Sequence, residues 1–221
     1  MAKPSIIIAN EFIGHLKYLE MTRSKMEYLL GKGYIVRRDI EQVYEGLYID
    51  SITSFEGFIE KLFIGLLVGN IVHDFSKIVP RIYFKSYSVA RDVVYGGRTF
   101  VDWFPYERFS EKRAKSFFRN GWPFTCLKRN DKNKLENIMV IRNALAHKST
   151  HSILRFRNEV IGSKPLRTKE RTPSGYLRSR FRINPIQTQY ENIIITLSEI
   201  AGELCTCKKF IQQLKGGGIA P

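Results

Sequence analysis

Residues 135–148 read LENIMVIRNALAHK, and their apolar side chains recur at the spacing of one face of an α-helix. The apolar stripe is formed by Leu135, Ile138, Met139 and Leu145. On an ideal helix Arg142 lies in the middle of this stripe. A guanidinium keeps its proton and needs partners when water is removed, so burying it is costly. The segment therefore predicts a core helix with a paired or functional cation.

Three other segments have the same helical periodicity, namely 5–30, 36–68 and 187–214. No alternation long enough to build a sheet occurs between them. The chain is therefore predicted to be all-α, an antiparallel bundle of four to five main helices. An irregular insertion is expected at about 70–130 and a basic loop at about 162–186. Residues 1–215 are expected to form a single helical domain, and 216–221, which is rich in glycine, a flexible tail.

The charge balance indicates a polyanionic partner. The 221 residues include 36 Lys and Arg against 21 Asp and Glu, a formal net charge of +15. Nucleic acid is the first expectation, and an anionic membrane surface is the alternative. The longest uncharged apolar run, 62–73, is about half the length that spans a bilayer, so no membrane segment is predicted.

Cysteine usage indicates a reducing compartment. The three cysteines, Cys126, Cys205 and Cys207, are odd in number and include a C-x-C spacing, which suits neither a disulfide framework nor a zinc site. They are expected to be thiols in the cytoplasm. His147 and His151 have metal-ligand spacing but no third ligand nearby, so neither a metal nor a cofactor is predicted.

A second charge interrupts the apolar face of the 36–68 segment. Glu56 lies between Ile52, Ile59 and Phe63 on that face. If the two helices face each other, Glu56 and Arg142 can form a charge-assisted pair. Such a pair has two readings: an interhelical salt bridge that fixes the helix register, or part of a functional site.

His147 favours the functional reading of this helix. It lies about 140° from Arg142 around an ideal helix, so one straight helix cannot direct both side chains to one point. Two arrangements can bring them together. The helix can end near Ala146 and turn His147 inward, or two copies of the chain can meet so that both motifs line a shared groove.

The motif Arg142-Asn143-Ala144-Leu145-Ala146-His147 resembles the signature of HEPN domains. In that family an arginine, a polar residue and, after a short spacer, a histidine follow an apolar helix. The segment 51–62, which contains Glu56, is similar to the family's earlier core helix and its acidic residue. The resemblance covers the helices near 36–69, 132–150 and 187–213 and says little about 70–130.

This resemblance implies a metal-independent endoribonuclease that works as a homodimer with a composite active site. His147 is the residue of the motif suited to proton transfer at neutral pH, and Arg142 would stabilise charge on the scissile phosphate. Asn143 would orient the histidine or bind the phosphate, and Glu56 completes the candidate catalytic set. The resemblance also implies a toxin or anti-phage defence effector, with an antitoxin or a defence-system protein as candidate partner.

A basic segment near the carboxyl end is the candidate RNA contact. Residues 164–182 combine seven basic residues with one acid and two aromatic residues, the mixture expected for single-stranded RNA. A solvated loop is the alternative. The predicted RNA contacts are Lys148, Arg167, Arg171, Arg178, Arg180 and Arg182. By contrast, four tyrosines are at helical spacing and are expected in the core, namely Tyr18, Tyr28, Tyr44 and Tyr48.

Two other functions remain open at this point. A HEPN-like module can bind RNA or a partner protein without cleaving anything, and it would keep Arg142 for packing. An unrelated basic helical protein can bind DNA, although no helix-turn-helix punctuation is present. The presence of all three residues Arg142, Asn143 and His147 favours the ribonuclease.

Overall fold

The computed structural model describes residues 2–75 and 77–216, and it is all-α, with about 70% of these residues in helices. The helices are α1 (Ser5–Gly31), α2 (Arg37–Leu67), α3 (Tyr87–Tyr95), α4 (Lys112–Phe117), α5 (Arg129–His147), α6 (Thr150–Arg155), α7 (Pro173–Arg178), α8 (Gln189–Thr206) and α9 (Lys208–Gly216). The helical structure is completed by two π-helical turns, Glu107–Glu111 and Phe156–Ile161. It also includes three 3-10 turns, Arg119–Gly121, Phe124–Cys126 and Thr168–Glu170.

The four segments with helical periodicity form the four long helices α1, α2, α5 and α8, which confirms the predicted fold class. The segment predicted at 187–214 is divided between α8 and α9, because Cys207 adopts a positive φ of 49° that no α-helix accommodates. None of the described helices is both long enough and apolar enough to cross a lipid bilayer.

Strands are very short. β1 (Lys3–Pro4) pairs in parallel with β2 (Ile71–Val72), and β3 (Arg180–Arg182) pairs antiparallel with β4 (Gln187–Thr188). Each pair is a two-stranded ribbon of two or three residues a strand. Neither amounts to a sheet that could organise a core.

The contacts divide the chain into two compact units, each discontinuous in sequence. Among the described residues, the first comprises 2–13, 56–75, 77–135 and 198–216, and the second comprises 14–55 and 136–197. The single domain predicted for 1–215 stays a prediction. The tail predicted at 216–221 lies outside the described residues from 217 onward.

The first unit has an aromatic core around Phe63 of α2. Its ring contacts those of Trp103, Phe118 and Phe124, with centroids 5.0–5.3 Å apart. These three residues belong to the segment predicted as an irregular insertion, about 70–130. The insertion therefore supplies part of the core of this unit, where its aromatic residues pack against Phe63 of α2. It also contains two helices, α3 and α4.

The second unit is organised around buried tyrosines of α2 and α8. The hydroxyl of Tyr48 donates a hydrogen bond to the carbonyl oxygen of Ile138 in α5, at 2.8 Å. One turn earlier in α2, Glu45 pairs with Lys148, just beyond the end of α5. In this unit the chain order of the contacts is opposite in α2 and α5, as the predicted antiparallel packing requires.

Candidate functional site

The candidate catalytic motif lies in the last two turns of α5. Arg142 and Asn143 are half-buried, and His147 is the last residue of the helix and is exposed. Lys148 ends the helix with a positive φ of 48°. The helix thus ends at His147, one residue past Ala146, and the imidazole is exposed rather than turned inward.

The buried face of α5 is wider than the predicted stripe. Leu135, Ile138 and Leu145 are buried as expected, and Val140 and Ala144 are buried as well, whereas Met139 is only half-buried. Arg142 is only half-buried because it lies close to the carboxyl end of the helix, where its long side chain reaches solvent. The cost of desolvating this cation is therefore smaller than the sequence suggested.

Arg142 and Asn143 form a pair of their own. The Nη1 of Arg142 donates a hydrogen bond to Oδ1 of Asn143 at 3.2 Å. The amide therefore orients the guanidinium rather than the imidazole, and its NH₂ group is left to donate to an anion. Within 2–75 and 77–216, the ring of His147 has no hydrogen bond or ion pair, so nothing in a single chain fixes its tautomer.

Glu56 is half-buried on α2 and belongs to the first unit, whereas Arg142, Asn143 and His147 belong to the second. The predicted pairing of Glu56 with Arg142 stays a prediction.

Comparison of the chain with protein-family models, with curated proteins and with solved structures gave no match. The similarity to HEPN domains therefore depends on the motif residues and their helical setting alone.

The segment predicted as a basic loop is ordered by local caps. Thr172 accepts a hydrogen bond from the N–H of Gly175 at 3.1 Å and so caps α7, with Pro173 at the first helical position. Before it, Glu170 accepts a hydrogen bond from the N–H of Arg167 across a 3-10 turn. The segment is thus a turn, a helix and a strand rather than a loop.

The predicted RNA contacts fall into two groups. The side chains of the first group have a partner within the protein. Lys148 pairs with Glu45, Arg171 donates to the carbonyl oxygen of Leu166, and Arg182 donates to Gln187. Arg178 also belongs to this group. In the second, Arg167 and Arg180 are exposed and form no salt bridge with any carboxylate of the described chain. The second group meets a phosphate with no protein partner to displace, whereas the arginines of the first group offer only the N–H donors that their protein partners leave free.

Arg178 is held by a carboxylate that is distant in sequence. Its Nε and Nη2 donate to the two oxygens of Glu27, each at 3.0 Å, and its guanidinium lies 5.8 Å from the centre of the Tyr44 ring. Burial by itself would raise the pKa of Glu27, but the hydrogen bonds from Arg178 and Tyr44 outweigh it, so that this pKa is lowered.

The same network extends to a second half-buried arginine, Arg23. Arg23 donates to Glu20, to Glu191 and to the hydroxyl of Tyr44, which in turn donates to Glu27. Its side chain is only 11% exposed. Burial opposes its charge, but the pKa of Arg23 is raised by the hydrogen bond with Glu20 and by Tyr44. Of these residues the sequence indicated only Tyr44, as a core residue, because Glu191 is 168 positions from Arg23.

A cavity in the second unit brings two of the predicted RNA contacts together. Arg167 and Arg178 line it, whereas Arg171, Arg180 and Arg182 do not. Two further cations, Arg37 and Lys169, also line it. Arg37 lies at the start of α2, about 130 positions before the segment, so no local pattern connects it with the others.

The first unit contains a buried histidine, His73, and all three thiols. Nδ1 of His73 accepts a hydrogen bond from the N–H of Phe75, which leaves the ring proton on Nε2. That nitrogen is 3.0 Å from the carbonyl oxygen of Leu204 and 4.0 Å from Sγ of Cys207. All three cysteines are free and buried. In 2–75 and 77–216, no three His, Cys, Asp or Glu side chains are arranged to hold a metal ion.

Proposed function

We propose that the chain is a HEPN-type endoribonuclease in which Arg142, Asn143 and His147 act on the scissile phosphate. One observation supports this most strongly. An arginine oriented by the adjacent amide and an exposed histidine lie within two turns at the end of one helix. A permanent cation and a proton-transfer group are what RNA cleavage requires when the 2′-hydroxyl is the nucleophile.

The proposed reaction uses the sugar's own hydroxyl. A base takes the proton of the 2′-hydroxyl, and the 2′-oxygen attacks phosphorus while the bond to the 5′-oxygen breaks. The leaving oxygen takes a proton from an acid. The products end in a 2′,3′-cyclic phosphate and a 5′-hydroxyl. His147 serves as the base or the acid, and Arg142 stabilises the charge that develops on the phosphate oxygens.

The composite site is part of the proposal. On an ideal helix His147 and Arg142 are about 140° apart, and α5 includes both residues, which favours a site shared by two chains. A second copy would bring its own motif to the same groove. It would also supply the hydrogen-bond partner that the imidazole needs for a defined tautomer.

The cellular role proposed with this activity is that of a toxin or an anti-phage effector in the cytoplasm. Control by an antitoxin or by a defence-system protein belongs to the same proposal. The net charge of +15 supports RNA as the macromolecule that is bound.

One observation favours the alternative, a HEPN-like module that binds RNA without cleaving it. A general base is normally oriented by a third group, and His147 has no such partner among the described residues. A binding module needs no oriented imidazole.

The experiment that separates the two is incubation of purified protein with RNA in EDTA, followed by analysis of the product ends. Cyclic phosphate ends are expected from the wild-type protein and none from His147→Ala. His151→Ala is the matched control, because it removes another exposed histidine four residues away and should cleave normally. Equal cleavage by both variants, or a strict requirement for a divalent ion, would contradict the proposal. RNA binding without cleavage would establish the alternative.

A further inference from the structure

The cavity in the second unit has the size and charge of a ligand site. Its volume is about 410 Å³, which is within the range of small-molecule sites in proteins. Four basic side chains line it, those of Arg37, Arg167, Lys169 and Arg178. Glu170 is the one acidic residue in the lining, and it is occupied by the N–H of Arg167.

Two of the four cations are oriented by carboxylates outside the cavity. Arg178 directs two of the five N–H donors of its guanidinium to Glu27, so others are left for a ligand. Arg37 is held by Nε alone, which donates to Glu41 at 2.6 Å, and both of its terminal nitrogens remain. Arginines fixed in this way lose little side-chain entropy when an anion binds.

The other two cations have no compensating charge. Arg167 and Lys169 are exposed, and neither forms a salt bridge with an acidic residue in the part of the chain that the structure describes. Positive charge that is gathered in a concave site and left unpaired attracts an anion more strongly than the same charge on an open surface.

The shape of the cavity wall depends on a glycine. A Cβ at Gly175 would overlap the carbonyl oxygen of Lys169 and come within 2.7 Å of Oγ1 of Thr172. Only glycine therefore lets α7 pack this closely against the turn that contains Arg167 and Lys169. This close packing fixes the backbone of the turn from which Arg167 and Lys169 line the cavity.

We propose that the cavity binds the phosphate group of a nucleotide-sized ligand, either a phosphate monoester or a diphosphate. The lining has no aromatic side chain to hold a base, so recognition must come from the anion itself. Several converging cations suit an anion of two or more charges, and the planar forks of arginine suit phosphate oxygens. The inference does not depend on the proposed ribonuclease activity, since none of these residues belongs to the α5 motif.

The test is calorimetric titration with inorganic pyrophosphate at moderate salt. One saturable site is expected. Arg167→Ala combined with Lys169→Ala should weaken binding by about tenfold or more, because each substitution removes a charge-assisted hydrogen bond. Arg157→Ala combined with Lys25→Ala removes the same charges from exposed positions outside the cavity and should change the affinity by less than about twofold. Equal loss in both double variants, or no saturable binding, would overturn the proposal.

Competition then identifies the source of the phosphate. A 5′-phosphorylated oligoribonucleotide that displaces pyrophosphate, where the 5′-hydroxyl form does not, indicates the end of an RNA strand. Displacement by a nucleoside diphosphate alone indicates a free nucleotide. Displacement by neither contradicts the proposal. The His147→Ala variant should bind pyrophosphate like the wild type, so failure of the ribonuclease proposal leaves this result interpretable.

Discussion

Removing the carboxylate that holds Arg178 should lower the free energy of unfolding, because the pair it forms with this arginine is partly buried. In Glu27→Ala the guanidinium, whose side chain is 20% exposed, loses two hydrogen bonds at 3.0 Å, and the hydroxyl of Tyr44 loses its acceptor. Breaking a fully buried pair costs about 3–5 kcal/mol, and an exposed pair contributes about 0–1 kcal/mol. The partial exposure of Arg178 and Glu27 places the expected loss at about 2 kcal/mol.

The matched control is Glu159→Ala. Glu159 accepts the same two-pronged bond from Arg155, at 2.8 and 2.9 Å, but both side chains are close to half exposed. Its loss should cost less than about 0.5 kcal/mol. Urea unfolding followed by far-UV circular dichroism measures both variants. For a chain of this size the Glu27→Ala loss corresponds to a fall in Tm of about 4–8 °C. An equal effect of the two substitutions would refute the argument from burial.

Three further predictions concern pH, packing and RNA. The pKa of Glu27 is lowered by folding, so its contribution is present above the unfolded pKa of about 4.3 and is lost as the pH falls through the folded value; the stability gap between the wild type and Glu27→Gln, measured by urea unfolding, should therefore narrow in acid. Gly65→Ala should destabilise the first unit by about 1–3 kcal/mol, because the added Cβ overlaps a buried isoleucine side chain, whereas Gly57→Ala, which meets nothing within 4 Å, should stabilise it by up to about 1 kcal/mol. In a filter-binding assay, Arg180→Glu should weaken the affinity for single-stranded RNA and reduce by about one the slope of log affinity against log salt concentration. Arg171→Glu should have the smaller effect, because the Arg171 guanidinium already bonds a carbonyl oxygen, and equal effects would contradict this assignment of RNA contacts.

The long helices could be predicted because apolar periodicity is a local signal. α1 was expected at 5–30 and spans Ser5–Gly31. The same signal was wrong about Tyr18 and Tyr28, which are 65% and 64% exposed. From Glu20 to Gly31 every residue of α1 is half-buried or exposed, since the buried face of the helix ends at Leu19. Helical spacing predicts which face of a helix is apolar, but it does not predict how far along the helix another element covers that face.

The order in the basic segment could not be predicted for a different reason. Its caps are visible in the sequence as Thr172-Pro173, but Arg178 is fixed by Glu27, which is 151 positions away. The wall of the cavity depends on Gly175. A larger residue is excluded at this position only because the carbonyl oxygen of Lys169 lies against it in the fold. Long-range ion pairs and close backbone approaches leave no periodic signal in a single sequence.

The motif in α5 has one feature that could be predicted from the sequence and one that could not. The helix around Arg142 and His147 followed from its apolar stripe, and so did the difference in direction between the two side chains. The hydrogen bond from Arg142 to Asn143 did not, because a side chain's choice of partner depends on rotamers.

Mixing two inactive variants tests the central claim most directly. His147→Ala and Arg142→Ala, each without RNA cleavage alone, are unfolded together, refolded as a mixture and assayed in EDTA. In a groove shared by two chains, a heterodimer keeps one complete pair of groups, so the mixture should recover about one quarter of the wild-type activity. A mixture no more active than either variant alone would contradict the composite site.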